Sequence, residues 1–122
     1  MTRKKNDDEA FREWVRRQSS CISGRFSEYV NGEGRCISAH VRRAATSGMA
    51  FKAPLSCVPL TNAEHQTQHQ GGELACLAKH LSPTRFDLYF GGMTHEEKVG
   101  ASKFWFDEQA AKYREEWRRL QE

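Results

Sequence analysis

The chain has 122 residues, a length typical of one domain, so a single domain over residues 1–122 is expected. Hydrophobic residues make up 38% and aromatic residues 11% of the chain, which excludes a wholly disordered protein. No apolar run approaches the roughly 20 residues that cross a bilayer, so we expect a soluble, cytoplasmic protein that does not enter a membrane.

The net charge of +3 is unevenly distributed. Residues 1–53 hold an excess of Lys and Arg, whereas residues 54–101 hold an excess of Asp and Glu. A basic half suits a surface that binds a polyanion, because each neutralised phosphate releases counterions. For so small a charge alone, an ordinary solvated surface is the simpler interpretation.

A short amphipathic helix is the first predicted element. Asp7 and Asp8 can cap it, and its apolar face is marked by residues at i, i+3 and i+4 spacing: Phe11, Trp14 and Val15. Over residues 21–40 the pattern changes to brief apolar stretches interrupted by turn signals at Gly24 and residues 31–34. We expect two strands joined by a loop in this region.

The segment after His40 is predicted as a connecting loop that leads, past Pro54, into the apolar residues 55–60. Asn62 can cap a helix that begins directly after it, and the glycine pair 71–72 can end that helix. The predicted order is therefore strand, loop, strand and helix.

Residues 74–101 follow no single period and are treated as an insertion. The last segment is clearer, and a C-terminal amphipathic helix over residues 102–121 is expected to pack on the body. Its apolar residues recur three or four positions apart: Phe106, Ala110, Tyr113, Trp117 and Leu120.

The histidines at positions 65 and 69 lie four residues apart on the predicted helix. Both imidazoles should project from one helical face, within reach of a single metal ion. An isolated pair with this spacing is more often exposed polar surface than a metal site. Its context decides between the two interpretations.

That context is His40, which is placed at a strand end ahead of the histidine helix. Hydrolysis of a phosphodiester needs a base that deprotonates water and a cation that neutralises charge on the phosphate. A histidine suits the first task and a helix-mounted cation suits the second. Without His65 and His69, a histidine packed near a strand end would be the preferred interpretation.

Two sequence stretches carry a family resemblance: residues 39–42, which read AHVR, and residues 58–73, which read VPLTNAEHQTQHQGGE. They resemble the phage and prophage branch of the HNH nucleases, which commonly reads Ala-His-Val-Arg, then Val-Pro-Leu-Cys-x-x-His-His-x-x-x-His-x-x-Gly-Glu. A later Phe-Trp of that branch is matched by residues 104–105. The branch includes proteins linked to recombination and to recombinase-dependent DNA cleavage.

The resemblance implies an α+β fold with a ββα-metal (His-Me finger) core over about residues 11–73, a flanking N-terminal helix and the C-terminal helix. It implies that His40 is the general base and that His65 and His69 bind the metal ion. Arg42 and Arg43 would lie beside the site, where a guanidinium can hold a phosphate, although an ordinary surface pair is equally expected.

The implied function is a metal-dependent endonuclease that hydrolyses DNA, phage or prophage encoded and linked to recombination. Its partners would be DNA and a recombinase or another phage protein. Its cofactor would be Mg²⁺ or Mn²⁺, with Zn²⁺ and Ni²⁺ as alternatives. Two other functions stay open: a DNA-binding accessory protein that keeps the nuclease fold without turnover, and a structural metal-binding module.

Many relatives carry a structural zinc site, and here the corresponding positions are Cys21, Gly24, Thr61 and Glu64. Only the cysteine is a good zinc ligand, so no structural zinc is expected. The chain has four cysteines and no Cys-x-x-Cys pair, which favours free thiols.

The catalytic region departs from the family in two places. Ala39 stands where many HNH enzymes have a metal-binding Asp or His. Ser56 occupies the approximate place of the middle asparagine, and Asn62 comes too late to fill it. His80 and His95 are treated as surface histidines that could complete the metal site if the insertion folds back.

Overall fold

The structure is a computed structural model that describes residues 3–41, 43–44, 50–51 and 55–122. Within these ranges the chain is an α+β fold of four helices and three pairs of short antiparallel strands, which confirms the expected class. The elements in chain order are α1 Arg3–Arg16, β1 Glu28–Val30, β2 Glu33–Arg35, β3 Ile37–His40, β4 Arg43–Ala44, β5 Ala50–Phe51, β6 Cys57–Leu60, α2 Asn62–His80, α3 Pro83–Phe90 and α4 His95–Leu120.

Strands β3 and β6 form the pair around which the core is built. Their antiparallel register sets Ile37 opposite Leu60 and His40 opposite Cys57. Every residue of β6 is buried, because α1, α2 and α4 all contact this strand. The core joins side chains from these elements: Phe11, Val15, Val58, Leu60, Leu77, Phe106 and Tyr113. The strands expected within residues 21–40 are present as β1, β2 and β3, but the segment expected as a connecting loop after His40 contains the short pair β4–β5 and the buried strand β6.

Helix α1 begins earlier than predicted. It starts at Arg3, so the expectation that Asp7 and Asp8 cap it is wrong. The Asp8 carboxylate makes a tertiary contact instead: it pairs with Arg12 at 3.3 Å and accepts a hydrogen bond from the Leu55 N–H at 3.2 Å. The helix can extend past the aspartates because the basic residues before them are good helix formers.

Helix α2 starts at a different cap and runs further than predicted. Thr61 is the N-cap and not Asn62: its hydroxyl accepts from the Glu64 N–H at 3.2 Å, and the Glu64 carboxylate accepts from the Thr61 N–H at 2.8 Å. This capping box satisfies two N–H groups at once, which favours it over the asparagine. Gly72 has a φ of 91°, so the predicted break is present, but the chain resumes a helix that reaches His80.

Residues 74–101 are mostly helical, which the sequence pattern did not indicate. They contain the end of α2, all of α3 and the start of α4. Helix α4 begins at His95 and not near position 102, because Thr94 and Glu97 form a second capping box. None of the described helices is long and apolar enough to span a membrane.

Aromatic side chains hold α4 against α1. The ring centroids of Trp14 and Trp117 are 5.7 Å apart, and those of Phe11 and Trp117 are 6.1 Å apart with an edge-on contact. Trp105 is buried within α4. The three tryptophans therefore pack in or against the core, as their helical spacing predicted.

All four cysteines are free thiols, as expected. Burial raises the pKa of Cys21 and that of Cys36, and burial followed by the charge of Glu64 raises the pKa of Cys76 to about 12. These three thiols stay protonated near neutral pH and serve as small apolar side chains.

The Glu64 carboxylate is buried at the start of α2, with 2% of the residue exposed. Beyond the Thr61 N–H, it accepts a hydrogen bond from the Ser20 hydroxyl at 2.6 Å. The Ser20 oxygen in turn accepts from the N–H groups of Ile22 and Ser23. One carboxylate thus connects the loop after α1 to the first turn of α2.

We predict that Glu64→Ala lowers the free energy of unfolding by about 3 kcal/mol, because it leaves the buried Ser20 hydroxyl and Thr61 N–H without their acceptor. Glu97 is the matched control, since it holds the same capping-box position on α4 but is exposed. Glu97→Ala should cost less than about 1 kcal/mol. Urea unfolding measures both, and equal costs would contradict the special role of Glu64.

Candidate functional site

His40 is the last residue of β3, and its side chain is half-buried. Because successive side chains on a strand point to opposite faces, Ser38 and His40 share one face, and both line a surface cleft of about 520 Å³. Ala39 between them belongs to the core, with 1% of its surface exposed. Strand β3 therefore presents its histidine to the cleft and its alanine to the interior.

Helix α2 reaches the same cleft because of how it leaves the strand pair. Thr61 alone connects β6 to α2, so the helix begins at the Ile37 end of β3. The strand rises about 10 Å from Ile37 to His40, and the helix rises about the same distance from its first residue to His69. A helix that returns along the strands brings His69 level with His40, and both residues line the cleft.

His65 and His69 form an imidazole pair on the first two turns of α2. Their Nε2 atoms are 3.0 Å apart and their ring planes lie at 83°. Two nitrogens bound to one cation at about 2.1 Å lie about 3.0–3.4 Å apart, depending on the coordination angle. The spacing thus suits two ligands of one ion, and it also allows a hydrogen bond between the rings when one Nε2 is protonated.

Two features of the environment favour the neutral form of His65. Burial lowers the pKa of this imidazole, and the neighbouring His69 ring lowers it further. Only a neutral imidazole offers a nitrogen lone pair to a cation. The lowered pKa of His65 therefore keeps that nitrogen available to a metal ion at lower pH than in an ordinary histidine.

The cleft contains a carboxylate that was not among the predicted site residues. Glu73 lines it beside Gln68 and Ser38. The His69-x-x-x-Glu73 spacing was an available signal, because i, i+4 side chains share a face of an unbroken helix. The glycine pair between them predicted that the helix ends before Glu73, whereas helix α2 is interrupted at Gly72 and then continues.

The donor set fits an open cation site. Within the described ranges no group of three or more His, Cys, Asp or Glu side chains converges closely enough to enclose an ion, so the protein ligands brought together are the two imidazoles. Water and phosphate oxygens commonly complete the shell of Mg²⁺ and Mn²⁺, and imidazole also suits Zn²⁺ and Ni²⁺.

The two predicted phosphate ligands fall largely outside the described part of the chain. Arg42 is not described, and for Arg43 only the backbone is, which pairs with Phe51 between β4 and β5. The role assigned to both arginines stays a prediction.

Ser56 holds the backbone next to His40. Its hydroxyl donates to the Val41 carbonyl at 3.2 Å, and the Val41 N–H donates to the Ser56 carbonyl at 3.1 Å. Ser56 is buried, so these contacts fix the point where the chain leaves β3. The Ser56 hydroxyl therefore contacts the main chain beside His40.

The two histidines of the predicted insertion are not among the residues that line the cleft. His95 is exposed at the start of α4, as expected. His80 differs from a plain surface histidine, because it is half-buried and its Nε2 lies 2.9 Å from the Thr67 hydroxyl.

The four positions that the sequence resemblance aligned with a structural zinc site lie where the loop after α1 meets α2. Two of them, Thr61 and Glu64, form the capping box, and Glu64 also binds Ser20. Hydrogen bonds to a carboxylate therefore join the two segments here.

Comparison of the chain with protein-family models, curated proteins and solved structures gives no significant match.

We predict that His65→Ala and His69→Ala each weaken Zn²⁺ binding by about 100-fold, because each removes one of two imidazole ligands. His95→Ala should leave binding unchanged, since His95 is exposed on another helix. In the wild type, affinity should fall as acidification protonates His65, because a protonated imidazole has no lone pair for the metal ion. The lowered pKa of His65 places this loss at lower pH than for an ordinary histidine. Isothermal titration calorimetry measures all four proteins, and equal affinities would rule out this ligand pair.

Proposed function

We propose that this protein is a metal-dependent endonuclease of the HNH (ββα-metal) superfamily that hydrolyses DNA phosphodiester bonds. The observation that carries the proposal is the cleft that His40 shares with His65 and His69. Phosphodiester hydrolysis needs a base for water and a cation beside the phosphate. The cleft offers one imidazole on a strand and a pair of imidazoles on a helix, which suits these two tasks.

The order of elements supports the proposal. A strand that ends in a histidine, a loop, a second strand and a histidine-bearing helix form the ββα-metal arrangement. Here β3 pairs with β6, α2 comes directly after β6, and the short pair β4–β5 lies in the connection between the two strands. The resemblance of residues 39–42 and 58–73 to phage and prophage nucleases implies the same roles. That resemblance is also the basis for proposing a link to DNA recombination.

In the proposed reaction, His40 takes a proton from a water molecule while the water oxygen forms a bond to phosphorus. The bond from phosphorus to the leaving sugar oxygen breaks, and that oxygen takes a proton from solvent. His40 then returns its proton to solvent. The Ser56 contacts to Val41 hold the backbone beside His40, which limits the directions its ring can take.

His65 and His69 would hold a divalent cation, which supplies Lewis-acid stabilisation of the charge on the phosphate and on the leaving oxygen. The described residues that line the cleft include no Lys or Arg, so the cation would supply positive charge that these side chains do not offer to a phosphate.

A DNA-binding accessory protein that keeps the fold without turnover is the second candidate. It is favoured by the position of Ala39, which lies in the core and cannot ligate, and by the presence of only two converging ligands in the described ranges. A structural metal module has less support, because such sites enclose the ion with four protein ligands.

We predict that the wild type nicks plasmid DNA with Mg²⁺ or Mn²⁺ and that His40→Ala reduces the rate by at least about 100-fold, because the general base is lost. The variant should still bind DNA, since His40 is not a phosphate ligand in this mechanism. His95→Ala serves as the matched control and should cut like the wild type. Undiminished cutting by His40→Ala would refute the mechanism, and a wild type that binds but never cuts with Mg²⁺, Mn²⁺, Zn²⁺ or Ni²⁺ would favour the accessory protein.

A further inference from the structure

A second depression lies on an adjacent face of α2. It has a volume of about 820 Å³ and lies between residues 22–27, the start of α2 and the junction of α2 with α3. We propose that this depression, the basic groove, binds the phosphate backbone of DNA next to the point of cleavage, an inference that rests on the function proposed above. It would give the DNA a defined path across α2 toward the cleft.

Three cationic side chains from three different segments line the basic groove: Arg25 in the loop before β1, Lys79 near the end of α2 and Arg85 in α3. All three residues are exposed. Among the described residues no carboxylate forms an ion pair with Arg25 or Lys79. Their charges are therefore available to an anionic partner.

The acidic side chain in the groove does not cancel this charge locally. Glu64 is the acidic residue among the described lining residues, and it is buried and hydrogen-bonded to Ser20 and Thr61. Its carboxylate accepts hydrogen bonds from groups of the protein, so the charged side chains in the open part of the groove are the three cations.

The charge that would bind an anion comes from side chains and not from the start of α2. The Thr61 and Glu64 N–H groups are used in the capping box, and the Asn62 N–H donates to the Ser27 hydroxyl at 2.9 Å. Separate cations along an open groove suit a polyanion with repeated charges, since each can neutralise a different phosphate.

Arg85 is held in place for such a role. One of its guanidinium nitrogens donates to the Ile22 carbonyl at 3.3 Å, and its Cζ lies 5.8 Å from the centre of the Tyr89 ring. A guanidinium has five N–H donors, so these contacts leave others for phosphate oxygens. A cation that is already positioned loses little conformational entropy on binding.

The groove and the cleft flank the same turns of α2. Ala63 and Gln66 line the groove, whereas His65 and His69 line the cleft. Neighbouring residues on a helix are turned by about 100°, so the two sets face adjacent sides of a helix about 10–12 Å thick. At about 3.4 Å per nucleotide, a strand that follows the groove reaches the cleft about three nucleotides later.

The test is the salt dependence of DNA binding, measured by fluorescence anisotropy of a short labelled duplex in EDTA, which prevents cleavage. The double variant Arg25→Gln/Lys79→Gln removes two groove charges. The matched control Arg118→Gln/Arg119→Gln removes two exposed charges at the end of α4, outside the groove. We expect the groove variant to lower the slope of log K against log salt by about 1–2 and to weaken binding by about tenfold, with much smaller changes in the control.

Thermal unfolding first confirms that both double variants fold like the wild type. Equal losses of DNA affinity in the two double variants would overturn the proposed role of the groove. The proposed nuclease would still stand if the wild type nicks plasmid DNA. A selective loss in the groove variant, together with a wild type that never nicks, would support the groove and overturn the nuclease. A wild type without salt-dependent DNA binding would overturn the groove, and plasmid nicking would still decide the nuclease separately. A groove-dependent preference for duplex RNA would overturn the assignment to DNA.

Discussion

Two hydrogen bonds to the buried Glu64 carboxylate, from the Ser20 hydroxyl at 2.6 Å and the Thr61 N–H at 2.8 Å, connect the loop after α1 to the first turn of α2. That turn sets the direction of the helix, since Thr61 is the single residue between β6 and α2. His65 follows directly and lines the cleft, and Gln66 lines the basic groove. Both functional surfaces therefore depend on this contact.

The candidate site divides its charges between two places. The described lining of the cleft holds three imidazoles and the Glu73 carboxylate, whereas the basic groove holds Arg25, Lys79 and Arg85. An imidazole must be neutral to accept a proton or to bind a cation, and close lysines or arginines would compete with that cation for the same phosphate oxygens. In the proposed function, placing the backbone contacts and the chemistry on two sides of α2 would avoid this conflict.

Sequence reasoning found the parts of the site that depend on local spacing. His65 and His69 are one turn apart and His40 ends a strand ahead of them, and this order together with the resemblance to HNH nucleases predicted a shared site. It missed Glu73, because the preceding glycine pair is a signal for a helix end and α2 breaks there without ending. The basic groove was also out of reach, because Arg25 and Lys79 are far apart in sequence and meet only in the tertiary structure.

The boundaries of the helices show the same limit. A capping box is recognised only when its two residues are considered together. Thr61 and Glu64 form such a box, whereas the predicted N-cap was Asn62, the residue after the observed N-cap. The α+β class depends on the coarse alternation of strand and helix patterns, and it was predicted correctly.

The proposed function requires that the His65 and His69 imidazoles hold a cation in the cleft that His40 lines. The most direct measurement is a crystal structure of the protein grown with Mn²⁺, in which anomalous scattering locates the ion. We expect a peak about 2.2 Å from both Nε2 atoms, on the side of the helix that faces His40. A peak at other residues, or a His40 ring turned away from the ion, would contradict it.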